Sequence, residues 1–373
     1  MHKRIFLYFF CLFGIGSQPL SAQFLNDELA MQQTREALDK IYNFEFTEAE
    51  HELQPLYSKY KDHPVSHLLR ATWLYWKYRP VAQNAVQAKA YLNELEKCIA
   101  LGERLIRVPK YKAEATFYLL SAHGFISKFH HFNHDYIKAA FEAKNAYSYL
   151  KDGFDYMDVN PDFLFTSGLY QYYREQYPES HPQVKPIVYF FKEGNKAEGL
   201  VNMRRAVKVA LFSQVEAADY LGGICLKYES RNREALQIYS NLHKKYPKNP
   251  DFLLRYIEVL AANGLFDDVQ KNVGRLRSYS GSDYQVAYHL FKGEFDQHRG
   301  EFDLAKKEFL QCVELEPDGY HTDDMKAAAY LQLGKIAFSE KRYPAAKQYL
   351  KACLDLAGYK STIAEAESII KQL

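Results

Sequence analysis

Two stretches of the sequence concentrate side chains that could do chemistry. Residues 293–317 read GEFDQHRGEFDLAKKEFLQCVELEP, where carboxylates, a histidine and a cysteine stand close together. Residues 128–135 read KFHHFNHD, with three histidines and an aspartate. Acids, bases and thiols serve enzymes as proton carriers and nucleophiles, and imidazoles bind transition metals. Each stretch could therefore contribute to a site, if the elements around it hold its side chains together.

His130 and His134 are the best candidates for metal ligands. A spacing of four residues would place both side chains on one face of a helix. The sequence fixes no acidic third ligand, and the neighbouring Phe129 and Phe132 are typical of a packed or half-exposed helix end. We therefore favour surface or packing roles for these histidines and expect neither a metal nor another cofactor.

Aromatic residues between positions 156 and 191 form a second candidate surface. Tyr170, Tyr173, Tyr189 and Phe190 could line a groove for a peptide or a ligand, because a tyrosine ring offers apolar contact and a hydrogen-bonding hydroxyl. Contacts between helices also need large side chains, and packing is the favoured interpretation. These four residues are the candidates for partner binding.

The composition and the missing motifs narrow the function classes. With 373 residues, 47% of them hydrophobic, the chain can bury a large core as one long or two ordinary domains. The formal net charge of +2, from 48 basic and 46 acidic residues, argues against general nucleic-acid binding. The sequence contains no G-x-S-x-G, H-E-x-x-H, P-loop or G-x-G-x-x-G motif. A non-enzymatic function is therefore expected.

Residues 1–22 are predicted to be a secretory signal peptide. Lys3 and Arg4 precede an apolar run over residues 5–16, and small residues lead to a cleavage site at Ala22. No later segment is apolar enough to cross a membrane. We expect an exported protein that is periplasmic, associated with an outer membrane or secreted.

The four cysteines that follow are predicted to be buried, reduced thiols. They are Cys98, Cys225, Cys312 and Cys353, and their spacing forms neither a zinc motif nor a dense disulfide framework. Cys312 and Cys353 hold equivalent positions in a repeat and would lie on helices too far apart for a disulfide.

The elements that carry these residues are revealed by self-similarity along the chain. One set of positions recurs at fixed offsets along the chain and holds small residues, apolar residues and a final proline or glycine. A glycine also marks the turn within two of the repeat units, Gly264 in a weaker unit and Gly300 in a strong one. The recurring sets are Gly223, Ala235, Tyr239, Leu242 and Pro247; Gly293, Ala305, Phe309, Cys312 and Pro317; Gly334, Ala346, Leu350, Cys353 and Gly358; and the weaker Ile257, Val269, Val273, Leu276 and Gly281.

Apolar spacing within each unit predicts two amphipathic helices folded into an antiparallel pair. Small residues at the recurring positions let the two helices approach closely, and a terminal proline ends the second helix. These features resemble the tetratricopeptide repeat. The resemblance implies an all-α, right-handed superhelix with units near 216–249, 250–285, 286–326 and 327–360, because one pair cannot bury both of its faces.

The domain prediction extends this pattern in both directions. Residues 23–175 are predicted to form a helical, repeat-like region, and residues 176–190 a proline-rich connection. Residues 191–373 contain the repeats and a C-terminal capping helix that begins with a capping-box pattern at Thr362–Glu365. In the stretch that begins at Gly293, the carboxylates and His298 are expected on the solvated side.

Two functions remain open at this point. Phe163–Tyr173 and the following F-K-E-G-N-K segment are similar to tetratricopeptide proteins associated with outer membranes or transporters, which implies an accessory role and no catalytic residue. The first hypothesis is a cell-envelope scaffold that binds a protein partner on its concave face. The alternative is a small-ligand or transporter-accessory protein whose pocket is lined by the mid-chain aromatics.

Overall fold

The computed structural model describes residues 23–180, 185, 191–316 and 322–373, and their regular structure is entirely helical. The first seven α-helices are α1 (Glu28–Tyr42), α2 (Phe46–Lys59), α3 (Pro64–Lys77), α4 (Ala85–Leu105), α5 (Lys112–Phe132), α6 (Tyr136–Gly153) and α7 (Phe163–Ser180). The next ten are α8 (Lys196–Val209), α9 (Gln214–Lys227), α10 (Asn232–Lys245), α11 (Pro250–Ala262), α12 (Phe266–Val273), α13 (Ser282–His298), α14 (Phe302–Glu314), α15 (Asp323–Ser339), α16 (Tyr343–Leu356) and α17 (Lys360–Ile370).

Neighbouring helices pack in pairs, which confirms the predicted all-α solenoid. The small residues at the recurring positions explain the close approach within a pair. A Cβ atom on Gly293 would lie 2.7 Å from Cε1 of Phe309, and one on Gly334 would lie 2.8 Å from Cγ of Leu350. Hydrogen is therefore the only substituent that fits at these two positions without a shift of the partner side chain.

The pair formed by α9 and α10 departs from the predicted register by one residue. Gly222, and not Gly223, meets the partner helix: a Cβ on Gly222 would lie 2.5 Å from Cε2 of Tyr239, whereas one on Gly223 would be 3.7 Å from the tyrosine hydroxyl. The turn after α9 is one residue longer than its counterparts, because Arg231 N–H bonds to the carbonyl six residues earlier, at Cys225. Elsewhere the equivalent bond spans five residues, as from Glu301 to Asp296.

Six helix pairs share one turn feature, although the turn after α9 is a residue longer. Two residues before the second helix, the backbone takes a positive φ, which ends the first helix and reverses the chain. In five of the six pairs the second helix then begins with an aromatic residue. The turn residues are Phe44, His134, Ser230, Gly264, Gly300 and Lys341. Gly264 and Gly300 were predicted, and the turns at Phe44 and His134 show the same local structure in the N-terminal half.

The weaker repeat keeps its core although its second helix is short. Ile257, Val269, Val273 and Leu276 are all buried, as their register requires. Helix α12 ends at Val273 and continues as a 3₁₀ helix, Gly274–Ser278. The tighter helix still brings Leu276 into the core, so the position is preserved while the helix type changes.

The N-terminal helices pack against the C-terminal repeats. Tyr42, at the end of α1, donates a hydrogen bond to Glu216 of α9, and its carbonyl accepts one from Asn249 Nδ2 at 2.8 Å. The rings of Trp76 and Phe252 lie 6.4 Å apart. One continuous apolar cluster accordingly runs from Phe24 to Val259. The two predicted halves therefore share a core.

Several predicted boundaries can be placed on this fold. Helix α7 runs through Pro178 to Ser180, into the segment predicted as a connection, and the rest of that segment lies almost entirely outside the described residues. Pro317 and the predicted signal peptide are also outside them.

Within the described ranges, no helix combines the length and apolarity needed to cross a membrane. The four predicted thiols are free and buried.

The capping helix is present, but the predicted capping box is wrong. Helix α17 begins at Lys360, and its N-cap, Tyr359, makes no side-chain capping bond. Thr362 therefore lies within the first turn of the helix. Glu365 reaches a neighbouring helix, where it pairs with Lys335 at 2.7 Å. The local motif gave the wrong start because the helix begins three residues earlier than a capping box at Thr362 requires.

Candidate partner-binding groove

A cavity of about 490 Å³, which we call the repeat cavity, lies where α11, α13, α15 and α17 meet. The first three are the first helices of consecutive repeats, so the stacking of the units creates its walls. Apolar side chains make up about half of the walls, including Ala261, Leu290, Phe291, Met325, Ala328 and Leu331. Polar groups enter from all four helices and include Glu258, Glu294, Gln297, Asp324 and Glu365. A concave surface that combines apolar area with convergent polar groups is typical of binding sites.

A second cavity of about 500 Å³, the central cavity, adjoins the first and extends toward the N-terminal helices. Its lining is rich in both aromatic and charged residues, and the aromatic ones include Tyr75, Trp76, Tyr173, Tyr220, Tyr228 and Tyr359. Arg79 lies over Trp76, 5.0 Å from its ring centroid, and is paired with Asp251. Contributions from both halves of the chain therefore make this cavity.

Tyr359 stands between the two cavities and lines both. Its hydroxyl donates to Glu258 at 2.5 Å. The preceding Gly358 N–H donates to Asp324 at 2.6 Å, and Asp324 also pairs with Lys227 at 2.7 Å. A Cβ on Gly358 would lie 2.6 Å from Cε of Lys227. The segment that leads into α17 is thus clamped against α9, α11 and α15.

The carboxylates of the repeat cavity differ in their partners. Glu258 accepts from Tyr359 and pairs with Arg255 at 2.7 Å, and Glu365 and Asp324 pair with lysines. Glu294 makes no hydrogen bond or ion pair with any described residue. Burial, with help from the Glu258 carboxylate, raises the pKa of Glu294 to about 7, although Lys335 opposes the shift.

The structure does not bring the predicted metal candidates together. Helix α5 ends at Phe132, so His130 and His134 do not share a helix face. His134 is the positive-φ turn residue of its pair, with Nδ1 2.9 Å from the Tyr136 hydroxyl. His130 Nδ1 lies 3.8 Å from Asp135 Oδ2. No cluster of three metal-binding side chains occurs among the residues described. The prediction of a shared face was wrong because the turn interrupts the helix between them.

The predicted aromatic candidates divide between two surfaces. Tyr173 lines the central cavity, where its ring lies 6.1 Å from that of Tyr228. Tyr170 instead packs on Tyr147, 5.6 Å between centroids, and its hydroxyl donates to the carbonyl of Lys192. Tyr189 and Phe190 lie outside the described residues. Among these candidates, Tyr173 is the one placed in the candidate groove.

The sequence pattern predicted only part of the solvent exposure along the acidic stretch that begins at Gly293. Asp296 is buried and pairs with Lys292, and Glu294 lines the repeat cavity, so the expectation of solvated carboxylates was wrong for these two. His298 is exposed as expected, but it also stacks on Phe266 with 4.5 Å between ring centroids. The stretch supplies the wall of a cavity. Cys312 is buried in the helix pair, and burial raises the pKa of its thiol to about 12, so the reactive thiolate is disfavoured there.

Sequence reasoning missed the groove itself, although the repeat register contained a signal for it. Glu258, Glu294 and Lys335 occupy the same position in three consecutive repeats, one residue after the register position held by isoleucine in the weaker repeat and by glycine in the other two. Their side chains therefore follow one another along the stacked first helices. Charged residues that recur at a single repeat position, with apolar residues one helical turn away, would have indicated a groove with a mixed polar and apolar lining.

Comparison with known proteins agrees with the C-terminal assignment. Residues 327–359 match the tetratricopeptide repeat family, in the unit predicted near 327–360. The crystal structure of yeast Tom70 is among the similar solved structures, with a TM-score of 0.38 and 13% identity over 83% of this chain. The chain covers 64% of the Tom70 chain, less than two thirds of it. No curated protein sequence matches significantly. The family match supports a tetratricopeptide-repeat protein.

Proposed function

We propose that the protein is a non-catalytic interaction scaffold of the cell envelope that binds a segment of a partner protein on the concave face of its repeats. The observation that carries this proposal is the repeat cavity, whose walls are the first helices of consecutive repeats. Stacked repeats commonly use such a continuous inner surface to hold an extended or helical segment. The export prediction for residues 1–22 supports an envelope location.

The size and lining of the groove support a protein partner. Two adjoining cavities of about 490 and 500 Å³ extend the surface beyond a single small pocket. Apolar side chains supply area that a partner would bury, and the aromatic rings of the central cavity supply hydrogen-bonding hydroxyls. Both features are needed for a specific interface, since burial provides affinity and directed polar groups provide register.

Site-specific photo-crosslinking tests this proposal. A benzoylphenylalanine in place of Met325 would sit in the repeat cavity, and one in place of the exposed Leu304 of α14 is the matched control outside it. Irradiation of cells that export the protein should produce one reproducible crosslinked product from the Met325 position, and that product should be absent at Leu304. Mass spectrometry then identifies the partner and its location.

Two results would count against the proposal. If both positions give the same products, or if neither gives any, the cavity is not a partner-binding surface. The purified protein could instead be stabilised against heat by a small metabolite, in a way that requires the Tyr173 side chain. That result would replace the scaffold proposal with the alternative of a small-ligand accessory protein. Selective binding to the folded state would produce that stabilisation.

A further inference from the structure

The repeat cavity contains hydrogen-bond acceptors without donors. Glu294 makes no hydrogen bond or ion pair with described residues. Three residues further along α13, the Oε1 atom of Gln297 is buried and accepts no hydrogen bond from the described part of the chain. Both side chains line the cavity. Buried polar atoms are normally paired, and the Gln297 oxygen is an exception beside the partly exposed, unpaired Glu294 carboxylate, so the two together point to a ligand that supplies donors.

The charge of the cavity selects among donors. Four carboxylates line the cavity, those of Glu258, Glu294, Asp324 and Glu365. Its lining contains no lysine or arginine, and the basic side chain it does contain is that of His298. Three of the four carboxylates already have cationic partners outside the lining. Glu294 is left as the carboxylate with an open position. A cation beside it would offset the burial and the repulsion from Glu258 that disfavour its charged form.

The apolar wall limits the shape of the cation. Leu290, Met325 and Ala328 lie among the lining residues that surround the acidic groups. A hydrated metal ion gains nothing from such walls, whereas a lysine or arginine side chain carries an apolar stem behind its charged head. Such a side chain can bury its stem against the wall and direct its N–H donors at the acceptors.

We propose that the repeat cavity is a specificity pocket for a lysine or arginine side chain of the partner segment, with the Glu294 carboxylate and the Gln297 carbonyl oxygen as the acceptors of its N–H groups. This inference rests on the proposed function, because it assigns the chemistry of the partner that the groove holds. It commits the partner to a cationic residue flanked by apolar ones. Hydrogen bonds between charged groups are stronger than neutral ones and make the pocket discriminating.

Peptide selection with purified protein tests this assignment. The probe is a library of short peptides with blocked ends and apolar flanks, in which the central position is lysine, arginine, norleucine, glutamine or glutamate. The protein should enrich lysine and arginine over norleucine by about tenfold, the effect of roughly one charge-assisted hydrogen bond. Glu294→Gln should lose this preference, and Glu294→Lys should favour glutamate.

Glu367→Gln is the matched control, because Glu367 is an exposed residue of α17 outside the cavity lining and the substitution removes the same charge. It should keep the wild-type preference. Thermal unfolding verifies that all three variants are folded. Absence of a lysine or arginine preference in the wild type, or a preference that survives Glu294→Gln, overturns the inference. So does n-butylammonium competing as strongly as the whole peptide, which would assign the pocket to a free amine.

The two proposals fail in different experiments. A partner crosslinked at Met325 together with no cationic preference would overturn the specificity pocket and leave the scaffold in place. Equal crosslinking at Met325 and Leu304 would remove the scaffold proposal, whatever the peptide selection shows.

Discussion

At the scale of single residues, the small positions in the helix pairs determine how closely the helices approach. Gly222 and Gly223 are adjacent in the interior of α9, so alanine has the same intrinsic helix propensity at both positions. Only Gly222 faces the ring of Tyr239, where a Cβ would come within 2.5 Å of a ring carbon. The tyrosine ring is fully buried and its hydroxyl donates to the carbonyl of Asp219 at 2.8 Å. It has little freedom to move aside.

We therefore expect Gly222→Ala and Gly223→Ala to differ in sign. Overpacking at Gly222 should lower the free energy of unfolding by ~1–3 kcal/mol, only partly offset by the better helix propensity of alanine. Gly223→Ala meets ordinary contact distances and should be neutral or stabilising by up to ~1 kcal/mol. Urea denaturation of the two variants measures the difference. Equal effects, or a larger loss for Gly223→Ala, would restore the register predicted from the sequence.

At the scale of helices, α17 covers the end of the last repeat. Ala366 is fully buried and belongs to a cluster with Ala327, Leu331 and Leu350. Ile369 and Ile370 pack on the same cluster. A terminal repeat exposes an apolar face unless a final helix covers it. The stability of the last pair, α15 with α16, should depend on this contact.

A glutamate placed on each face of α17 tests the capping role. Ala366→Glu would bury a charge without a partner and should lower the free energy of unfolding by ~2–4 kcal/mol, with loss of solubility as the apolar cluster is exposed. Ala364→Glu makes the same change at an exposed position and should have little effect. Thermal unfolding and light scattering report both properties. A soluble Ala366→Glu variant of wild-type stability would refute the capping role.

The helix pairs could be predicted because they depend on local patterns that repeat. Gly293, Ala305 and Phe309 form a code within one unit, and its recurrence identified the solenoid and its final unit. The code failed where local geometry changed, as in the longer turn after α9. It also missed the turn at His134, because only glycines marked turns in the sequence pattern and here the residue with positive φ is a histidine. The cavity lies between units, so no single unit contains the information for it.

At the scale of the whole molecule, long-range contacts join the first helix to the middle repeats. Asp39 accepts hydrogen bonds from Lys245 at 2.7 Å and from the Tyr246 hydroxyl at 2.6 Å. Nearby, Tyr42 donates to the partly buried Glu216. These contacts join residues about two hundred positions apart, which no periodicity in the sequence predicts. They hold the N-terminal helices against the walls of the central cavity.

Glu216 should make this contact sensitive to pH. Burial raises its pKa from an ordinary 4.5 to about 7, and its Oε2 atom is buried without a partner among the described residues, as suits a protonated carboxyl. Between these values the folded chain binds more protons than the unfolded chain, so the stability contributed by this group is present at low pH and is lost as pH rises toward 7 and above. Glu216→Gln keeps an acceptor for the Tyr42 hydroxyl but removes the ionisation. The variant should match the wild type at pH 4.5 and exceed its free energy of unfolding by ~1–3 kcal/mol at pH 8, measured by urea denaturation at both values.

Glu50→Gln, at an exposed position of α2, should show no such difference between the two pH values. A Glu216→Gln effect that is the same at both would mean that the carboxylate is ionised in the folded protein and that the contact between α1 and α9 does not depend on its protonation.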